Sequence, residues 1–215
     1  MMRIRELWRF PVKSMAGERL DAAELREDGI AGDRTLVVLG GNGRIVSARS
    51  HPKLLAHRAT TAPDGTALVD GRPWDSPEVA RDVEAAAGDG ARLVSLAGDG
   101  DRFDVLPLLV ATDGAIAAFG HDGRRLRPNI VLSGVEGLAE RDWEGREIRV
   151  AGGAIIRLVS LRDRCIMTTY DPDTLERDLD VLRKIQREFG GKLALNAEVM
   201  RGGPLAAGAE VALTA

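Results

Sequence analysis

Cys165 is the sole cysteine among 215 residues and sits in the segment Arg162-Asp163-Arg164-Cys165-Ile166-Met167-Thr168-Thr169-Tyr170-Asp171-Pro172. A lone thiol has no partner for an intramolecular disulfide, so its chemistry is that of a nucleophile, a sulfur carrier or a soft metal ligand. Each of these uses the thiolate, a form that neighbouring cations such as Arg162 and Arg164 favour. The competing role is that of a small buried hydrophobe. Two flanking arginines weigh against it, because charged side chains are seldom sealed in a core.

Three further clusters carry cations at the ends of apolar runs. In Phe10-Pro11-Val12-Lys13-Ser14 an ammonium and a hydroxyl stand side by side, a pairing that suits a phosphate. In Ala31-Gly32-Asp33-Arg34 the glycine permits a tight turn, and Arg34 is placed either to grip a phosphate or to form a structural salt bridge. In Arg124-Arg125-Leu126-Arg127-Pro128-Asn129-Ile130 the proline fixes the backbone, so Arg127 and Asn129 project from a rigid strand entrance. Arg49 and His51 follow a strand in Ser47-Ala48-Arg49-Ser50-His51-Pro52, where His51 reads as an idle loop histidine. His57 and His121 have no partners at metal-ligand spacing, so a zinc site is not expected. The chain also lacks a Walker loop, a GxGxxG turn and a GxSxG elbow.

The elements that must position these residues are mostly strands. Apolar alternation and turn punctuation predict extended segments at 3–10, 35–39, 44–48, 67–69, 91–96, 108–111, 130–133, 147–150, 154–161, 193–200 and 210–213. Helices are predicted over 77–87, capped by Ser76 with Pro77 at its first position, and over 178–189, with Leu179, Leu182, Ile185, Gln186 and Phe189 on one face. A short helix over 113–119 follows Thr112 as its cap. The fold class is therefore mainly β with a few helices (α+β). Small and acidic residues around position 100 place a join there, giving domains 1–100 and 101–215.

Composition narrows the function classes. A 44% hydrophobic content supplies a core, and a net charge of −3 gives no basic excess for nucleic acid. No apolar run spans a bilayer, and Arg3 and Arg5 stand where a signal peptide needs its apolar stretch, so no membrane association is expected and a cytoplasmic location is. A single cysteine agrees with a reducing compartment.

Taken in order, Phe10-Pro11-Val12-Lys13-Ser14, Gly32-Asp33-Arg34, Ser47-Ala48-Arg49, Arg127-Pro128-Asn129-Ile130 and Arg164-Cys165 through Thr168-Thr169 to Asp171-Pro172 resemble the MOSC family, relatives of the C-terminal domain of molybdenum-cofactor sulfurase. The likeness covers nearly the whole chain and points to the branch that includes the amidoxime-reducing components. It implies a MOSC β-barrel plus a smaller N-terminal β-barrel-like domain, with the molybdenum cofactor (Mo-molybdopterin) held between them and Cys165 as the molybdenum ligand. Lys13, Ser14 and Arg34 match positions at the pterin's phosphate end. Arg49, Arg127, Asn129 and Asn196 match the cofactor cleft, Arg164 precedes the metal ligand, and Thr112 and Asp113 fall where polar residues approach the metal, with Asp113 a candidate proton donor or substrate contact.

The implied reaction is two-electron reduction of an N-hydroxylated compound, an amidoxime or hydroxylamine, whose oxygen leaves as water. A sole cysteine cannot ligate an iron–sulfur cluster, and there is no flavin fingerprint, so the electrons are expected from a separate reductase or electron-transfer protein. The alternatives are a sulfur carrier using a Cys165 persulfide and a non-catalytic cofactor-binding protein.

Overall fold

The computed structural model describes residues 1–96 and 102–214. The expected join near residue 100 falls in 97–101, outside the described residues. In chain order the strands of the first half are β1 (Met2–Arg9), β2 (Glu18–Leu20), β3 (Ala22–Arg26), β4 (Gly29–Ile30), β5 (Leu36–Leu39) and β6 (Ile45–Val46). They are followed by β7 (Ala59–Thr61), β8 (Ala67–Val69), β9 (Arg72–Pro73) and β10 (Arg92–Ser95). The second half carries β11 (Leu108–Thr112), β12 (Ile130–Ser133), β13 (Glu147–Val150), β14 (Ile155–Asp163), β15 (Lys192–Arg201), β16 (Gly203–Ala206) and β17 (Glu210–Thr214). The helices are α1 (Pro77–Ala87), α2 (Asp113–Phe119) and α3 (Leu179–Phe189).

Seven strands close a barrel in the order β12-β11-β15-β14-β13-β17-β1, with β1 pairing back onto β12 and β2 appended to β1. The first strand of the chain thus completes a barrel otherwise built from the second half. Leu108 and Val110, Ile130 and Leu132, Ile148 and Val150, Ile156 and Leu158, and Leu195 and Ala197 are buried at alternate positions. That is the period of two by which strands fill a small barrel with side chains. Only β11 and β12 pair in parallel among the barrel strands, and a parallel neighbour requires a crossover, which α2 provides.

The rest of the first half packs a second core, in which Val12, Met15, Leu36, Val38, Leu54, Val69, Val79 and Val83 meet and Met167 from the second half lies against them. A third cluster joins α2, α3 and the turn ending at Leu126 through Phe119, Leu126, Val181, Ile185 and Phe189. The polypeptide around Cys165 is held where these bodies meet.

All eleven extended segments expected from sequence contain a strand, and α1 starts as predicted, with the Ser76 hydroxyl accepting from the Val79 amide. The face of α3 differs in part from expectation. Ile185 and Phe189 are buried as expected and Val181 joins them, whereas Leu179 is 41% exposed and Gln186 faces solvent. Asp178 caps the helix, and the packing against α2 selects the i, i+4, i+8 stripe Val181, Ile185, Phe189.

Candidate functional site

The turn carrying Cys165 is shaped by its own sequence. Strand β14 ends at Asp163, the Arg164 amide donates to the Gly191 carbonyl at 2.9 Å, and a single tight helical turn follows over Ile166–Thr169. The Thr168 amide and hydroxyl both donate to the Cys165 carbonyl, at 3.0 and 2.9 Å. The Thr169 hydroxyl donates to the Ile166 carbonyl at 2.6 Å. Both threonines are fully buried, so the paired hydroxyls satisfy carbonyls that a tight turn would otherwise leave open. Cys165 itself is half-buried.

This turn forms one wall of a cleft. Its other walls come from the loop after β1 (Lys13, Ser14), the turn before β5 (Arg34), the loop after β6 (Ser47, Arg49), the segment from Arg102 to Leu106, the entrance of β12 (Arg127, Asn129), and Asn196 on β15. Seven cations line it: Lys13, Arg34, Arg49, Arg102, Arg127, Arg162 and Arg164. Only two lining residues are acids, Asp104 and Asp163. A chain with net charge −3 has therefore concentrated positive charge at one place, which selects an anionic ligand.

Three of the lining residues hold left-handed backbone without being glycine: Ser14 at φ 75°, Arg34 at φ 51° and Arg127 at φ 56°. Such conformations cost about 1–3 kcal/mol each and collect at ligand sites, where they aim side chains that relaxed backbone would not. Arg127 donates to the Met15 carbonyl at 2.7 Å and lies 4.3 Å from the centroid of the Phe10 ring, a cation–π contact. Burial, reinforced by the neighbouring Arg34 cation, pushes Arg127 down to about 9. Burial likewise brings Arg164 down to about 10 despite the attraction of Cys165. Arg164 donates from Nη2 to the Leu126 carbonyl at 2.7 Å, but its buried Nε has no partner. Both are buried cations whose charge has been taken out of water.

Lys13 and Arg49 converge on Asp104, at 3.2 and 2.5 Å, and Arg162 joins them at 3.3 Å. The attraction of Lys13, Arg49 and Arg162 overcomes the opposing effect of burial and holds the Asp104 carboxyl below the usual carboxylate range. Arg49 is raised because hydrogen bonding to Cys165 and the charge of Asp104 outweigh its own partial burial.

Arg34 forms the salt bridge with Asp33 that the sequence left open as an alternative, and the Asp33 carboxylate also accepts from the Phe10 amide at 2.7 Å. Asn129 and Asn196 line the cleft as brackets. The Asn129 carbonyl accepts from the Leu109 amide at 3.2 Å and from Arg34 at 3.4 Å, and its amide donates to the Trp8 carbonyl at 3.3 Å. Asn196 donates to the Ser160 hydroxyl at 3.0 Å and accepts from Arg162 at 3.3 Å.

Thr112 and Asp113 are not brought to the cleft. The Thr112 hydroxyl caps α2 by accepting from the Ala115 amide and donates to Glu140 at 3.2 Å. The Asp113 carboxylate accepts from the backbone amides of Gly114, Gly134 and Val135. Both polar groups are engaged in clamping the α2 corner onto the loop after β12, and neither lines the cleft. Arg124 and Arg125 also turn away, to Asp122 and Asp173 and to Asp171.

Sequence reasoning missed Asp104. It stands in Arg102-Phe103-Asp104-Val105-Leu106, beside the small acidic stretch read as a domain join. The signal was an unpaired carboxylate at the start of a long apolar run, in a chain whose cation clusters needed a counter-charge.

Residues 1–104 match the MOSC N-terminal beta barrel domain, and residues 115–212 match the MOSC domain. The chain belongs to the MOSC family. Among MOSC relatives, it is 26% identical to mitochondrial amidoxime reducing component 2 of Macaca fascicularis over 80% of this chain and 67% of that one. It is 24% identical to mitochondrial amidoxime-reducing component 1 of Homo sapiens over the same shares. The fold is shared with the YUAD protein from Bacillus subtilis, at TM-score 0.50, with 15% identity and coverage of 99% of this chain and 96% of that one. The barrel with its smaller β-rich neighbour is thus the MOSC arrangement, and a molybdenum-cofactor-related role follows at the level of the family. No helix among the described residues is long and apolar enough to cross a membrane.

Proposed function

We propose that this MOSC protein is an oxidoreductase that binds the molybdenum cofactor in the cationic cleft and reduces N-hydroxylated compounds such as amidoximes and hydroxylamines. The observation that carries the reading is the convergence of seven cations beside the sole cysteine, with a buried guanidinium nitrogen of Arg164 lacking an acceptor. That donor set fits a group bearing a phosphate and many acceptor atoms. Among the described residues no group of three or more His, Cys, Asp or Glu is placed to hold a metal ion. A metal held by Cys165 would bring its remaining ligands with it, as a dithiolene-bound molybdenum does.

Lys13, Ser14 and Arg34 would hold the phosphate end, Arg49, Arg127 and Arg164 would neutralise the remaining charge, and Cys165 would ligate the metal through its thiolate. Asn129 and Asn196 would act by fixing Arg34 and Arg162. The cofactor would supply the two-electron redox step. The protein would orient the substrate and keep cations beside the thiolate, Arg49 among them in the cleft that Cys165 also lines. The names of the relatives support this substrate class. The electrons would come from a separate reductase or carrier, the domain join would lie near residue 100, and the lone cysteine suits a reducing compartment such as the cytoplasm.

The test is molybdenum and pterin content after purification from a cofactor-producing host, alongside Cys165→Ala and Lys13→Ala. Near-stoichiometric molybdenum that falls in both variants supports the reading, as does amidoxime reduction that needs an added electron-transfer protein. Absence of metal and pterin from the unmutated protein would overturn it and direct attention to sulfur transfer through a Cys165 persulfide. Full turnover with NADH alone would remove the separate partner.

A further inference from the structure

Two of the carboxylates that meet the cleft's cations, Asp33 and Asp104, are held very differently. Asp33 is 1% exposed and is tied to both the Phe10 amide and Arg34. The Asp104 side chain is 30% exposed, and its contacts run to the side chains of Lys13, Arg49 and Arg162. Two of those cations are much less accessible than the acid, the Lys13 side chain at 14% and that of Arg162 at 18%. If the contact breaks, Asp104 regains water readily, whereas Lys13 and Arg162 stay in the cleft, where another anion can take the place of the carboxylate. The next residue, Val105, is 56% exposed, so the backbone beside Asp104 carries no buried apolar anchor at that point.

We infer that Asp104 is an internal counter-ion occupying the anion position between Lys13, Arg49 and Arg162, and that an anionic ligand binds there by displacing it. The inference rests on the reading of the cleft as an anion site, and it makes Asp104 the residue that sets how strongly a ligand's anionic group is held. Without a ligand the carboxylate keeps three clustered cations from repelling one another. With a ligand, those cations exchange a monoanion for a group of higher charge, and the carboxylate moves to solvent. Because Arg49 pairs with Asp104 and lines the cleft together with Cys165, the exchange also changes the charge near the thiol.

The experiment is calorimetric titration of cofactor-free protein with inorganic phosphate at low ionic strength, comparing unmutated protein with Asp104→Asn and Asp163→Asn. Asp163 lines the same cleft without contacting Lys13 or Arg49, so its variant measures the general effect of removing one negative charge. Asp104→Asn is expected to bind phosphate at least tenfold tighter, and Asp163→Asn no more than about threefold. Equal gains in the two variants, or no gain in Asp104→Asn, would overturn the inference. Should Asp104→Asn be too unstable to titrate, thermal melting in increasing phosphate replaces the titration. Phosphate must then raise the melting temperature of this variant more than that of the unmutated protein, and equal rises would count against displacement. None of these readouts involves molybdenum, so a failure here leaves the cofactor reading to its own metal analysis.

Discussion

The Thr168 hydroxyl donates to the Cys165 carbonyl at 2.9 Å while the Thr168 amide donates to the same oxygen at 3.0 Å. The residue three positions after the cysteine therefore fixes the direction in which the thiol leaves the backbone. Thr168→Val keeps shape and burial but removes the hydroxyl donor. The amide bond remains, so the expected loss is about 1 kcal/mol by denaturant unfolding. Molybdenum content is expected to fall while the far-ultraviolet circular dichroism stays unchanged. Unaltered metal content in a well-folded Thr168→Val protein would show that the turn does not need this bond to present the thiol.

Asp113 serves the fold. Its carboxylate accepts the Gly134 amide at 2.8 Å and the Val135 amide at 3.1 Å, and charge-assisted bonds of this kind to backbone amides are among the stronger ones. Asp113→Ala is expected to cost about 2 kcal/mol of stability, with cofactor content per folded molecule preserved. A variant that folds with normal stability yet loses the proposed reductase activity would bring Asp113 into the chemistry.

What the sequence made legible, and what it hid, follows from the range of the interactions. Strands such as β12 and β14 declare themselves through their own apolar alternation. Strand β3 does not, because Leu25 is its one buried residue and, beside its local pairing with β4, it relies on β16 far along the chain, which pairs Leu25 with Gly203 and Ala22 with Ala206. The cation clusters at Lys13, Arg34, Arg49 and Arg127 were legible because each sits at the end of a strand, where a rigid element delivers it to a common cleft. Thr112 and Asp113 were less legible for the opposite reason. A threonine and an aspartate at a helix start look the same in sequence whether they cap the helix or face a ligand, and only the amides of Gly134 and Val135 decide between them. Asp104 was hidden because its role exists only once Lys13, Arg49 and Arg162 surround it.

Arg164 illustrates stability given up for binding. Its buried Nε lacks an acceptor and burial lowers it to about 10, so without a ligand it is a poorly compensated charge. Arg164→Met removes that charge at similar length and gives up the bond to the Leu126 carbonyl. Cofactor-free Arg164→Met is expected to be more stable by roughly 1–2 kcal/mol, with pterin content after purification reduced about tenfold. A less stable variant with normal pterin content would mean that the guanidinium is a structural strut alone.

Glu140 supplies the pH dependence. It is fully buried, accepts from the Thr112 hydroxyl at 3.2 Å through Oε2, and its Oε1 has no partner. Desolvation raises its carboxyl above the usual range against the weaker opposing effects of Thr112 and Arg141. The sign follows from linkage. Below the unfolded-state value both states hold the proton, so the group adds no penalty. As pH rises the unfolded chain ionises first, and stability falls until the folded carboxyl has also lost its proton. Glu140→Gln cannot ionise and removes that slope. Urea unfolding of the two proteins from pH 4, near where an ordinary glutamate ionises at about 4.3, up to pH 8 should therefore show the variant gaining relative stability as pH rises. Parallel stability curves across that interval would mean that Glu140 is compensated in the folded protein, and that the missing partner on Oε1 carries no energetic consequence.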